Sequence, residues 1–245
     1  MPIFVPVQQN TPEWLQERCG DITASRIAEV TSYLTRKSKN GGKGDPSCER
    51  IKYLKQLRGE RTTGRTTEQF VSKYMDHGTE FESVARAAYE AAFDVEVKRV
   101  GYVRHSELPF SGASPDALVG EDGMLEIKCP QIETHYDWKE AGVVPAEYEP
   151  QMMWGMEVCQ RKWCDFVSFH PDAPEDLRIF VIRLEYDPEK AAFYREEVRK
   201  FNAEVEASIA RLRGPATLKE KLQQSVEIDP ELYITDADLP DWARA

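Results

Sequence analysis

A hairpin near the middle of the chain limits the available folds more than any other feature. Residues 116–119 (DALV) and 124–128 (MLEIK) are short strand-like runs joined by Gly-Glu-Asp-Gly. Two such runs across a glycine-bearing turn read as antiparallel strands, and Pro130 closes the second. Helical spacing surrounds them. Residues 12–18 form a short helix, and Asp21 or Thr23 can cap a second over 25–34, with Ile27, Val30 and Leu34 on one face. A Gly- and Lys-rich loop covers about 36–47, then helices are expected over 48–60 and 66–93, with Gly78 placed to break or kink the second. Residues 95–104 alternate as a strand, 147–160 return to helix, 163–169 and 178–186 read as strands, and 188–213 as a long helix with Pro188 just inside its start. No internal repeat is visible. The order predicts a single α/β or α+β layered domain over 1–213, with an acidic tail over 214–245.

Composition removes several classes. With 245 residues, 41% hydrophobic and 31% charged, the chain is neither collagen-like nor wholly disordered. No apolar run reaches the ~18 residues of a spanning helix, and the first residues lack a basic segment followed by an apolar one, so neither a membrane protein nor a secreted one is expected. Five cysteines, an odd number with no Cys-x-x-Cys pair, read as reduced thiols in a cytoplasmic protein. Four histidines without ligand spacing argue against zinc. No phosphate-binding GxxxxGK[ST] loop is present, so no nucleotide cofactor is expected.

The charge is uneven. The chain carries a net −11, yet residues 36–65 hold ten Lys/Arg against three Asp/Glu, a local +7 that leaves −18 elsewhere. Such a segment suits a localised anion contact; it equally suits a solvated loop and helix face. Within the tail, 227–241 has six acidic residues and no basic one; it suits a partner-docking segment, an arm between subunits, or a solvated, loosely packed end of the kind acidic termini most often form.

The chemistry concentrates in Ser111–Pro130. Alternation puts Glu126 and Lys128 on one face of their strand, and Asp116 starts the strand across the turn. Two carboxylates and an ammonium then converge at one end of a sheet. Paired carboxylates suit a hard divalent cation such as Mg2+ or Mn2+, which can polarise a phosphoryl oxygen and activate water, while the lysine stabilises developing charge. The same residues also suit a solvent-facing cross-strand ion pair.

Pro115-Asp116 followed by Glu126-x-Lys128 resembles the core motif of the PD-(D/E)xK nucleases. Three blocks extend the likeness to one branch, the phage lambda exonuclease family of YqaJ-type viral recombinases: Trp14 through Arg18 and Gly20 to Ile22-Thr23-Ala24-Ser25; Gly78-Thr79-Glu80-Phe81-Glu82 with Ala85-Arg86; and Ser114-Pro115-Asp116 through Leu125-Glu126-Ile127-Lys128-Cys129-Pro130. Tyr148-x-x-Gln151 adds a fourth. The resemblance implies a restriction-endonuclease-like core, a central mixed β-sheet flanked by helices. It implies a Mg2+-dependent 5′→3′ exonuclease, Mn2+ substituting, that degrades one strand of linear duplex DNA and leaves 3′ single-stranded tails for recombination by annealing. Asp116, Glu126 and the Ile127 carbonyl would be metal ligands, Glu82 an additional acid near a second metal or the water, and Lys128 the charge-stabilising group. Arg18, Ser25 and Ser114 would hold the 5′-phosphate, with Gln151 and Tyr148 supporting the centre. Glu82 also suits an exposed helix position, Ser25 a helix cap, and Tyr148 a core or surface role.

A homotrimeric ring around duplex DNA, a single-strand annealing partner, and a phage or prophage origin in a bacterial host follow from the resemblance alone. The cysteines lack the pattern of iron–sulfur nucleases of this superfold, so no such cluster is expected. Two competing readings stay open: an endonuclease of the same fold, and a catalytically silent module that binds DNA or an annealing protein. The Arg18, Ser25 and Ser114 set favours an end-directed enzyme, because an internal cutter has little use for a terminal-phosphate pocket.

Overall fold

A computed structural model describes residues 1–37, 39, 41–67 and 73–214, with side chains throughout except at 73–80. The chain opens with β1 (Ile3–Val5) and α1 (Pro12–Glu17). Thr11 caps α1, its hydroxyl accepting from the Trp14 N–H at 3.2 Å. Strand β2 (Ile22–Thr23) leads into a 3-10 turn (Ala24–Arg26) and the four-residue α2 (Ile27–Val30). The helix expected over 25–34 is therefore cut short, and Thr23 makes no side-chain capping bond. The cause lies downstream: Tyr33 bridges to Pro46, and Leu34 exchanges backbone hydrogen bonds with Gly44 and Asp45. The expected loop thus folds back on itself rather than hanging free.

Ser47 caps α3 (Cys48–Thr63), which ends at left-handed Gly64. Helix α4 (Lys73–Phe93) passes Gly78 without a break. The single strand expected over 95–104 is two strands, β3 (Val97–Lys98) and β4 (Tyr102–Arg104). They part at Gly101, where a Cβ would lie 1.8 Å from the Val7 carbonyl oxygen, an approach only glycine permits. Then follow β5 (Ser111–Ala113), β6 (Ala117–Val119), β7 (Gly123–Lys128), α5 (Ile132–Ala141), α6 (Glu149–Cys159), β8 (Trp163–Phe169), β9 (Ile179–Glu185) and α7 (Pro188–Arg213).

The strands form two sheets, ordered β1-β4-β5-β2 and β3-β6-β7-β8-β9. The larger is mixed: β6 and β7 are antiparallel, β7 and β8 parallel, β8 and β9 antiparallel. Helices cover both faces of β7. Leu125 and Ile127 pack with Ala85 and Tyr89 of α4 and with Val167 and Phe169. Met124 packs with Met152, Met153 and Met156 of α6 and with Cys164 and Phe166. A strand flanked by strands and covered on both faces is buried at nearly every residue.

Contacts divide the chain after Val205, and the described residues beyond it are the last turns of α7 and Gly214. The acidic stretch 227–241 lies outside the described residues. Among those described, no helix is long and apolar enough to cross a membrane.

Candidate active site

The hairpin builds the first half of the site. Leu125 pairs with Ala117, Met124 with Leu118 and Gly123 with Val119. One step further, the Asp116 N–H donates to the Leu125 carbonyl at 3.3 Å. Strand β6 starts at Ala117, so the Ile127 N–H has no ladder partner there. The Asp116 side chain replaces it: Oδ2 accepts from Ile127 N at 2.5 Å. The N–H and C=O of one strand residue point to the same side, so the Ile127 carbonyl faces the open end of β6, beside Asp116.

Glu126 and Lys128 share the opposite side chain face from Ile127. Glu126 is 3% exposed, which rules out a solvent-facing pair. Its Oε1 accepts from Lys128 Nζ at 2.5 Å and from Gln151 Nε2, in the first turn of α6, at 2.6 Å. Lys128 Nζ lies 4.9 Å from the centre of the Tyr148 ring, a cation–π distance. Tyr148 is the N-cap residue of α6 and stacks on Phe166, with Trp138 set edge-on. It is thus half-buried against the core and forms a wall beside Lys128.

The electrostatics follow. Desolvation comes first in raising the Asp116 pKa well above the ordinary carboxylate range, and the carboxylates of Glu126 and then Glu82 add to it. Burial alone would lower the Lys128 pKa, but Glu126 and Asp116 outweigh it and hold the ammonium charged. Burial, with Glu82 and Asp116 behind it, pushes the Cys129 thiol up to about 12, so it stays protonated. Glu82 sits on α4, partly buried and ion-paired with Arg86 one turn on; it is not a freely solvated helix glutamate. Arg86 is 7% exposed, and its Nε has no hydrogen-bond partner among the described residues.

The smaller sheet builds the second half. Parallel strands β2 and β5 pair Ile22 with Ser111 and Thr23 with Gly112. Ser25 and Ser114 each lie two residues beyond that last pair, so both emerge from the same end of adjacent strands. Ser25 is exposed within the 3-10 turn rather than capping it, its Oγ 3.4 Å from Thr23 Oγ1. Ser114 Oγ accepts from Trp14 Nε1 at 2.9 Å, and the Arg18 guanidinium lies 3.9 Å from the centre of the same indole ring. Ser114 belongs to the small sheet's exit and Asp116 to the large sheet's entry, so a single residue, Pro115, joins the two halves.

Sequence reasoning missed three contributors. Gln9 donates from Nε2 to the carbonyls of Val100 and Pro115, each at 2.9 Å, pinning the turn between Ser114 and Asp116. Trp14 and Arg86 stand in the motif blocks, but nothing local to them reveals their partners. The basic segment also divides. Arg50 is buried, bonding the Val30 carbonyl and pairing with Glu204, and Arg61 is held by the Gly20 carbonyl and Asn202. Lys37, Lys39, Lys52, Lys55 and Arg65 face solvent.

Among the described residues, no three His, Cys, Asp or Glu side chains are grouped to hold a metal ion. The candidate donors are the Asp116 and Glu126 carboxylates, close enough for Glu126 to raise the Asp116 pKa, and the carbonyl of Ile127, whose N–H Asp116 holds; Asp116 Oδ1 and Glu126 Oε2 lie outside the bonds named above. That set fits a hard, water-retaining dication of the Mg2+ type, which commonly uses one or two carboxylates.

Residues 13–162 match the YqaJ-like viral recombinase domain. The alkaline exonuclease LHK-Exo from Laribacter hongkongensis superposes with a TM-score of 0.73 at 36% identity, over 88% of this chain and all of that one. LHK-Exo in complex with dAMP gives 0.75 at 37% identity, over 84% of this chain and 98% of that one. A phage-related exonuclease from Haemophilus somnus 129PT shares the fold, with a TM-score of 0.60 at 16% identity, over 78% of this chain and 96% of that one. An uncharacterized protein of Acanthamoeba polyphaga mimivirus, R354, is 24% identical over 96% of this chain; the chain spans 42% of that relative's length. By the extent of the domain match and the likeness to LHK-Exo, the chain belongs to the YqaJ-like viral recombinase family.

Proposed function

We propose that the chain is a divalent-metal-dependent 5′→3′ exonuclease that degrades one strand of duplex DNA from its ends and leaves 3′ single-stranded tails for recombination by strand annealing. The observation that carries this is the junction at Ser114–Asp116, where a hydroxyl and guanidinium cluster meets a paired-carboxylate and lysine centre. The likeness to alkaline exonucleases supports the same class.

Asp116, Glu126 and the Ile127 carbonyl would hold Mg2+, with Mn2+ as substitute and Glu82 close by. When bound, the ion supplies polarisation of the phosphoryl oxygen and activation of water. The negative charge gathered around Asp116 is of the sign a cation relieves. Lys128 keeps its ammonium against Glu126 and stabilises charge developing on the scissile phosphate. Gln151 holds the Glu126 carboxylate from the α6 side, and Tyr148 limits where Lys128 can swing. Arg18, Ser25 and Ser114 receive the terminal 5′-phosphate, for which a planar guanidinium and hydroxyl donors are suited.

The reading extends to one catalytic domain over 1–213 with a C-terminal tail, a homotrimer encircling the duplex, an annealing-protein partner, and action in the cytoplasm of a bacterial host. The test is digestion of linear duplex labelled at either end, with or without a 5′-phosphate, beside a circular duplex and the Lys128→Ala variant. Metal-dependent loss of the 5′ strand from linear ends alone, absent in Lys128→Ala, is the expected result. Linearisation of the circle would replace this reading with an endonuclease, and absence of cleavage with Mg2+ or Mn2+ would leave a binding module.

A further inference from the structure

We propose that Trp14 is a positioning residue that sets the preference for 5′-phosphorylated ends. The inference rests on the phosphate pocket of Arg18, Ser25 and Ser114 described above.

Trp14 touches two of those three residues at once. Its indole N–H donates to Ser114 Oγ at 2.9 Å, and its ring face carries the Arg18 guanidinium at 3.9 Å. The indole nitrogen only donates, whereas a serine hydroxyl has one donor and two acceptor sites. Occupying an acceptor site of Ser114 with the indole N–H leaves the Ser114 O–H to donate, which is the sense an anionic phosphate needs. Stacking on the indole fixes the plane of the Arg18 guanidinium. Trp14 itself is fixed by the Thr11 hydroxyl on its backbone N–H. Gln9 anchors the adjacent Pro115 carbonyl. One N-terminal segment thereby holds the turn that carries Ser114 and, two residues on, Asp116.

The two contacts are separable. Trp14→Phe keeps an aromatic face for Arg18 and removes the N–H; Trp14→Leu removes both. kcat and KM are measured for each variant on one duplex sequence with a 5′-phosphate and with a 5′-hydroxyl. For Trp14→Phe the phosphate-over-hydroxyl ratio of kcat/KM is expected to fall by about tenfold, the scale of one oriented hydrogen bond to a charged group. The loss should lie in KM. Trp14→Leu should lose more. Ser114→Ala should lose as much as Trp14→Phe, and the double variant no more than either, because the two act through one hydroxyl. Equal losses on both substrates, with the ratio kept, would make Trp14 a packing residue and overturn the inference. A ratio unchanged in Ser114→Ala would overturn it independently of how the Trp14 variants fold. If the unmodified protein degrades DNA but shows no preference for phosphate, the pocket reading itself fails, a separate result.

Discussion

Gln151 offers a direct test of how the carboxylate pair is held. Glu126 is almost wholly buried, and its Oε1 takes two donors, Lys128 at 2.5 Å and Gln151 at 2.6 Å. Gln151→Leu keeps the side-chain volume and removes the amide donor. A hydrogen bond to a charged group contributes about 1.5–3 kcal/mol. Two consequences are expected. Stability falls by about that amount, which at roughly 2–4 °C per kcal/mol lowers the melting temperature by about 3–12 °C. The rate falls as well, because Glu126 is freed to follow Lys128 alone and leaves the position needed beside Asp116. If half of the lost energy is an orientation needed only in the transition state, kcat falls by about 3- to 13-fold. Single-turnover digestion of a 5′-phosphorylated duplex measures kcat, and thermal unfolding measures stability. A variant with wild-type kcat and a lowered melting temperature would show that Gln151 supports the fold only. A variant unchanged in both would refute the premise that this buried carboxylate depends on its second donor.

Other expectations follow from the same geometry. Gly123→Ala places a Cβ 2.2 Å from the Trp163 ring, whose motion is restrained by Arg183 stacked at 3.6 Å; overpacking costs about 1–3 kcal/mol, and Trp163→Leu in the same chain should restore most of the melting temperature. Reversing the charges of Lys37, Lys39 and Lys43 should lower processivity on long duplexes and flatten the salt dependence of binding; unchanged values would remove this loop from the DNA path. Burial alone would raise the Glu157 pKa, but hydrogen bonds from His105, Tyr186 and Arg195 outweigh it and hold the carboxyl at about 2, against an ordinary 4.5. A lowered folded pKa gives stability that is full above about 4.5 and lost as pH falls toward 2, so Glu157→Gln should flatten the acid limb of urea-midpoint measurements between those values.

Much of the site was legible because it is local. The spacing from Asp116 to Glu126 and Lys128 spans one hairpin, and hairpin geometry with period-two alternation fixes which side chains meet. The long helices and strands from 147 to 213 were legible for the same reason, each carrying several periods. Strands of two or three residues, such as Ile22–Thr23 and Ser111–Ala113, carry no period, and the helix at Ile132–Ala141 gave no cue strong enough to separate it from its neighbours.

Nearest neighbours and spacing were enough to set the order of the main elements, the carboxylate and lysine motif, and the family likeness. What covers each element came from long-range packing. Glu126 is buried because α6 lies over it, the run 95–104 divides between two sheets because Val7 crowds Gly101, and Trp14 meets Ser114 across 100 residues of chain. Periodicity states that a face is buried; it carries no information about which distant segment buries it, because that choice is made by packing among all the elements together.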